Sequence, residues 1–382
     1  MISRTIRPYF ENRLEKFPII SLTGPRQSGK TTLLRHAFPD YTYLSLEDPD
    51  IREYAEEDPK DFFKRNADKV IIDEAQKVPK LFSYMQGIVD AVQQPGQFIL
   101  SGSQNFILHQ KISQSLAGRV AICKLLPFDF SEVRGESLLP DDWKESLVNG
   151  FYPRIFDFGI PPQEFYPAYI ESYVERDVKE IVNVRNLTLF RNFVRLCAGR
   201  IGQILNLSSL ASDAGVSHST AQEWVSLLES SYILFRLPPY FRNFSKRLIK
   251  SPKLYFYDVG LAASLLSIKD SDSLSTHYLR GNLFENLIVA EMMKRKFHQA
   301  ESADLYFWRD SNGRELDCMV PESDRLHVYE IKSSTTFNKD FLKGFHYFRK
   351  VAKETVASET LIYGGFDEME RNDVSVKGWQ NW

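Results

Sequence analysis

Short apolar runs punctuate the first third of the chain: Ile19 to Leu22, Tyr41 to Leu46, Val70 to Ile72, Phe98 to Leu100 and Val120 to Leu125. Most are continuous rather than alternating, the pattern of strands covered on both faces of a parallel sheet. Longer polar stretches between them predict helices. One is expected over Met1 to Phe17, and another opens just before Leu33 and Leu34. The expected fold class is α/β.

The pattern changes after Leu125. Residues 128–165 mix Pro, Gly and aromatics, and Gly150 to Ile155 reads as a helix-breaking connection packed on the core. Apolar positions at helical spacing then predict helices over Tyr166 to Ile181 and Leu187 to Gly199. Leu210 and Ala211 sit on a short helix, Gly215 turns the chain, and Ser217 caps a helix carrying Ala221, Trp224, Val225 and Leu228. With a strand over Tyr232 to Leu237, this reads as a winged helix-turn-helix, a fold that serves DNA binding and protein contacts alike. Arg242, Lys246, Arg247 and Lys250 give the next segment the basic character of a DNA-contacting wing.

The polar stretch Lys269 to Thr276 marks a further boundary, so the expected domains are 1–165, 166–268 and 269–382. Gly281 to Glu285 lies in a helix continued by Leu287, Ile288 and Met292. Strands are expected over Leu305 to Trp308, Glu315 to Val320 and Leu326 to Lys332, with Asn312-Gly313 turning the first hairpin. A helix from Asn338 to Arg349 and a last strand at Leu361 to Gly364 complete a second α/β unit.

Composition narrows the class. A chain of 382 residues exceeds one ordinary core, and 43% hydrophobic with 26% charged residues is the balance of a folded protein. No apolar run approaches the roughly 18 residues of a membrane span. The N-terminal residues lack the apolar segment of a signal peptide. Cys123, Cys197 and Cys318 are too dispersed to suggest a disulfide framework or a zinc site. The expected compartment is the cytoplasm, with no membrane partner. A net charge of −2 gives no global electrostatic case for nucleic-acid binding and leaves only a local basic surface.

The chemistry concentrates at strand ends. The first apolar run leads into Gly24-Pro25-Arg26-Gln27-Ser28-Gly29-Lys30-Thr31-Thr32, the spacing GxxxxGKT set between a strand and a helix. Gly24 and Gly29 let backbone N–H groups turn toward phosphate, and the following helix N-terminus favours anionic oxygens. Lys30 would reach the β- and γ-phosphates, and Thr31 would offer its hydroxyl to Mg²⁺. The third run ends in Asp73, suited to hold Mg²⁺, and Glu74, suited to polarise an attacking water. After the fourth run, Ser103 and Asn105 either sense the γ-phosphate or cap a helix starting near Phe106. Arg119 either presents positive charge to a neighbouring subunit's phosphate or forms a surface salt bridge. ATP and Mg²⁺ are the expected cofactors, and ATP hydrolysis the expected reaction.

At the other end of the chain, hairpin pairing would bring Asp317 and Glu330 together as an oxygen-rich Mg²⁺ site. Glu285 would add a third carboxylate from its helix, and Lys332 would position water and stabilise charge on a phosphate.

The segments TGPRQSGKTTLL, VIIDEAQKVP, ILSGSQNFIL and SLAGRVAICKLLPFDFSE resemble the AAA-type ATPase domain of a prokaryotic family whose members also carry a C-terminal domain of unknown function, DUF4143. The resemblance covers nearly the whole chain. It implies an AAA+ fold with Asp73 and Glu74 in the second nucleotide motif, and a homo-oligomer with sites between subunits. Glu285, Asp317, Glu330 and Lys332 are similar to the pattern of PD-(D/E)xK nucleases, with Leu316 where that pattern usually has Pro. That likeness implies a restriction-endonuclease-like fold. The expectation is an ATPase whose movements are coupled to DNA-linked modules. Its alternatives are an ATP-gated scaffold for DNA or protein with an inactive nuclease-like domain, and an ATP-dependent nuclease.

Overall fold

The computed structural model describes residues 2–92, 94–103, 116–174, 187–240, 250–352 and 356–382. Asn105, Arg242, Lys246 and Arg247 lie outside the described residues.

Five strands form a wholly parallel sheet in the order β2-β3-β4-β1-β5: β1 (Ile19–Thr23), β2 (Thr42–Ser45), β3 (Val70–Asp73), β4 (Phe98–Gly102) and β5 (Val120–Lys124). Every residue of β1, β3 and β4 is buried, which is why these runs read as continuous. Alternation still decides the face each residue serves. Val70, Ile72, Phe98 and Leu100 pack with Phe62, Phe63, Leu81 and Met85. Ile20, Leu22, Ile71 and Ile99 meet Phe10, Leu33 and Leu34 on the other side. The chain leaves β1 for the far edge, returns through β3 and β4, and adds β5 on the other side of β1. The crevice at the carboxyl end of such a reversal is where open α/β sheets place their ligands.

Several local expectations change. The first helix is Arg7–Leu14 rather than Met1 to Phe17, because Pro8 opens it. Gly150 to Ile155 is not simply a helix-breaking connection, and residues 128–165 are largely helical. They carry the helices Phe130–Gly135, Trp143–Asn149 and Pro153–Asp157 and the start of Pro162–Tyr169. Asp129 and Asp142 cap the first two, and prolines open the other two in the first turn, where a missing N–H costs nothing. The helix expected from Tyr166 therefore begins earlier and continues into the wider turn Ile170–Val174.

The middle of the chain holds the helices Leu187–Ala198, Leu207–Ala214 and His218–Ser230, followed by the antiparallel pair β6 (Leu234–Leu237) and β7 (Lys253–Phe256). Gly215 ends the second helix at φ 67°, and the Ser217 hydroxyl accepts from the Thr220 N–H to start the third. Phe190 and Phe193 set their edges against Trp224. The polar stretch at Lys269 to Thr276 contains a capped helix, Ser271–Thr276. Its Leu274 joins the same apolar cluster as Leu265 before it and Leu283 after it.

The C-terminal sheet is mixed, in the order β12-β13-β11-β10-β9-β8. Its strands are β8 (Tyr306–Arg309), β9 (Glu315–Glu322), β10 (Arg325–Lys332), β11 (Val356–Tyr363), β12 (Met369–Arg371) and β13 (Val374–Gly378). β10, β11 and β13 are parallel, and the remaining pairs are antiparallel. The strand containing Leu361 is thus followed by two more, too short and polar to stand out in the sequence. Helix Arg280–His298, the longest among the described residues, is buried along most of its length. Cys123, Cys197 and Cys318 are buried free thiols. Among the described residues no helix is long and apolar enough to cross a membrane.

Candidate functional site

The loop after β1 is shaped by what lies beneath it. A Cβ on Gly24 would stand 2.0 Å from the Leu125 carbonyl oxygen, so only glycine fits beside the end of β5. Gly29 takes φ 92° and starts helix Lys30–Ala37. The buried Lys30 ammonium donates to the carbonyls of Gly24 and Pro25 at 3.0 and 2.8 Å, which curls the loop around it. Ser28 Oγ and Gln27 Oε1 are buried with no hydrogen-bond partner among the described residues. Arg26 leans toward Glu47 at 3.9 Å and over the Tyr173 ring.

β3 brings the acidic pair to the same edge. Thr31 Oγ1 donates to Asp73 Oδ2 at 2.9 Å. Asp73 also accepts from Ser101, from Tyr43 and from the Glu74 N–H at 3.1 Å. Burial first, and then the hydrogen bond to Asp73, push the Tyr43 phenol up to about 12, so it stays a donor to the carboxylate. Glu74 sits at φ 54°, a left-handed backbone that non-glycine residues adopt rarely and often at functional sites. Its Oε2 accepts from Gln76 and, at 3.4 Å, from Ser103. The structure therefore brings Lys30, Thr31, Asp73, Glu74 and Ser103 to one sheet edge. The hard oxygens of Thr31 and Asp73 suit Mg²⁺.

A cavity of about 570 Å³ opens beside them. Lys30, Thr31, Thr32 and Glu74 line one side, and Phe128, Pro153, Phe158 and Tyr173 give the other an apolar and aromatic character. Arg7 and Arg154 flank it. Arg119 is elsewhere. It precedes β5 at the opposite edge of the sheet and is held by Asp90 through two contacts, of 2.5 and 2.8 Å. It does not serve the loop of its own chain.

From the sequence Arg4 reads as an exposed helix residue, with a place near a nucleotide as the alternative. It is buried, donating to Ser28 O at 2.6 Å, to Leu126 O at 2.7 Å and to Glu132 at 3.0 Å. Its partners come from distant segments, so no local pattern announces it. Glu132 belongs to a buried group with Asp129 and His298. His298 Nδ1 lies 2.7 Å from Asp129, and its Nε2 accepts the Leu126 N–H at 3.2 Å. Burial would raise the Asp129 pKa, but His298, Ser131 and the Glu132 N–H together hold it well below the ordinary carboxylate range.

The C-terminal carboxylates also converge, with partners the sequence did not suggest. Glu285, Glu315 and Asp317 each place an oxygen within 4.8 Å of the others. Lys253 from β7 enters this group, 2.8 Å from Glu285 and in contact with Glu315. Tyr255 donates to the same Glu285 oxygen. Lys332 spans Glu330 at 2.6 Å and Asp317 at 3.1 Å, and Asp317 accepts the Ile331 N–H at 2.8 Å. Burial raises Glu285 to about 7 against the pull of Lys253. Burial and Asp317 raise Glu330 well above the usual carboxylate range. Asp317 is held low despite burial, by Lys332, Lys253 and the Ile331 N–H. Both lysines are raised, because neighbouring carboxylates outweigh their burial. The expected Mg²⁺ ligands Asp317 and Glu330 are thus brought together, but around ammonium groups. This donor set does not fit a divalent ion as it stands. Of the basic residues expected to form a wing only Lys250 is described, and it is exposed.

Comparison with known proteins finds three matched regions. Residues 16–134 match the family described as AAA domain, 140–272 a domain of unknown function (DUF8612), and 280–382 a domain of unknown function (DUF4143). Uncharacterized proteins of Mycobacterium tuberculosis and Mycobacterium bovis are each 31% identical over 328 residues, covering 85% of this chain and 72% of theirs. Among solved structures, a Walker-type ATPase of Pyrococcus abyssi is similar over 68% of this chain and 94% of its own, at 16% identity and a TM-score of 0.45. AMPPCP-bound DnaA of Aquifex aeolicus is similar over 59% and 85%, at 15% identity and a TM-score of 0.31.

Proposed function

Since the chain belongs to the family that joins an AAA domain to a C-terminal DUF4143 domain, we propose that it is an ATPase whose turnover drives movement of the two regions that follow. The observation that carries this reading is the 2.9 Å hydrogen bond from Thr31 to Asp73, which joins the phosphate loop to the acidic strand end beside the cavity. Lys30 would leave its carbonyl partners for the β- and γ-phosphate oxygens. Thr31 and Asp73 would hold Mg²⁺, which offsets phosphate charge when bound. Glu74 would orient a water on the γ-phosphorus and accept its proton as the bond to the bridging oxygen breaks, giving ADP and phosphate. Ser103, hydrogen-bonded to Glu74, is the proposed sensor of the γ-phosphate. Arg119 would act only across a subunit boundary in an oligomer.

The three proposed domains are 1–165, 166–268 and 269–382. The helix pair Leu207–Ala214 and His218–Ser230 with the β6–β7 pair supports a winged helix-turn-helix, and the exposed Lys250 would contact DNA. The sheet of β8 to β13 with Glu285, Asp317, Glu330 and Lys332 supports a nuclease-like fold. Lys253 among its carboxylates favours the reading in which that domain binds rather than cleaves. The test is phosphate release from ATP with Mg²⁺, with and without duplex DNA. Wild-type turnover lost in Lys30→Ala supports the ATPase, and stimulation by DNA supports the DNA-linked modules. Turnover unaffected by Lys30→Ala would remove the ATPase reading.

A further inference from the structure

A buried ammonium is costly unless charge and hydrogen bonds surround it. Lys253 is 2% exposed. Its ammonium touches Glu285 and Glu315 and lies 5.5 Å from the centre of the Phe307 ring. The oxygens of Glu285, Glu315 and Asp317 converge within 4.8 Å of one another, the spacing at which carboxylates share one cation. The cation present is the lysine.

The rest of β7 is fitted to the same acids. Residues two apart on a strand point to one face, and Tyr255 donates to the Glu285 oxygen that Lys253 also contacts. Lys332 plays the equivalent part for Asp317 and Glu330 from β10. Four carboxylates therefore meet two tethered ammonium groups, one from the C-terminal sheet and one from the strand pair before it. A divalent ion would need oxygen ligands at roughly 2.0–2.6 Å. It would occupy the space that the Lys253 ammonium fills and would repel it.

We propose that Lys253 is the resident cation of the DUF4143 carboxylate cluster: it takes the place of a divalent metal, fastens β7 to the C-terminal sheet, and keeps the cluster closed to such metals while β7 is docked. This stands independently of ATP turnover. It makes the lysine a lock between two regions of the chain, and it makes metal entry conditional on withdrawal of β7.

The experiment is Mn²⁺ uptake by the full chain, read from the loss of the free-ion electron paramagnetic resonance signal without nucleotide. Asp73→Asn in every sample silences the nucleotide site. With Lys253 intact, uptake that depends on Glu285 is expected to be absent. Lys253→Met is expected to gain one equivalent of Mn²⁺, lost again when Glu285→Gln is added, and Lys253→Arg is expected to gain none. Uptake by the Lys253 chain that Glu285→Gln abolishes would overturn the proposal. So would a folded Lys253→Met chain, by circular dichroism, that takes up no metal. If Lys253→Met fails to fold, the first comparison decides alone.

Discussion

The Arg4 guanidinium holds the carbonyl of Ser28 at 2.6 Å, so the phosphate loop is gripped from behind by a side chain from the beginning of the sequence. The same guanidinium reaches Glu132 at 3.0 Å. Glu132 and Asp129 in turn lie against His298, on the helix that carries Glu285 nearer its other end. Buried polar contacts and one long helix therefore connect the nucleotide loop with the carboxylate cluster.

Arg4→Met should strand Glu132 without its cation. Breaking one side of a buried pair costs about 3–5 kcal/mol. Arg4→Lys should recover little, because an ammonium does not reproduce the planar fork that serves Ser28, Leu126 and Glu132 together. Chemical denaturation measures the first effect, and titration with a fluorescent ATP analogue measures loosening of the loop. Melting and affinity equal to wild type would mean that Arg4 does not hold the loop.

Lys30 and Glu74 should separate binding from chemistry. Lys30→Ala removes the group that curls the loop and meets phosphate, so nucleotide affinity and turnover should fall together. Glu74→Gln keeps the shape of the side chain but cannot accept a proton. Turnover should drop by about 10²- to 10⁴-fold, the usual contribution of a general base, with affinity nearly intact. Equal loss of affinity in both variants would place Glu74 in binding instead.

Much of the nucleotide edge was legible because its signals are local. Gly24 and Gly29 answer to backbone demands, and β3 runs apolar into Asp73 and Glu74. What escaped was assembled across long separations. Arg4 looked like an exposed helix residue, yet it lies before helix Arg7–Leu14 and its acceptors are at residues 28, 126 and 132. Lys253 carries no local signal, because its partners come from helix Arg280–His298 and from β9. Pro153 lies in the segment that reads as helix-breaking, although it opens a helix. Proline stops a helix from within and starts one at its first turn, so the same residue supports opposite readings.

Thr23, the residue before the loop, meets Tyr232 of the middle region through their hydroxyls at 2.7 Å, with both side chains buried. The two ends of this contact should not be equivalent. In Tyr232→Phe the Thr23 hydroxyl keeps the Cys123 carbonyl at 3.3 Å, and the loss should be about 0.5–1.5 kcal/mol. In Thr23→Val the Tyr232 hydroxyl loses its bond to Thr23 while still buried, which costs about 1–3 kcal/mol. Urea midpoints of the two variants measure the order. Equal losses would show that the middle region is not held to the sheet through this pair.

Asp129 gives the fold a defined response to acid. Its carboxyl is buried, and His298, Ser131 and the Glu132 N–H hold its folded-state pKa below the unfolded value near 3.9. A depressed carboxylate contributes stability that is fully present above the unfolded pKa and is lost as pH falls toward the folded one. Asp129→Asn keeps the helix-capping oxygen but removes the charge and the acceptor that faces His298 Nδ1. At pH 7 the variant should be less stable by about 1.5–3 kcal/mol, the range for hydrogen bonds to a charged group. Above about pH 4 the gap between the two urea midpoints should stay constant, and below about pH 4 it should narrow steadily as pH falls toward the folded-state value. A gap that did not narrow below about pH 4 would show that the Asp129 charge is not what stabilises the junction with His298.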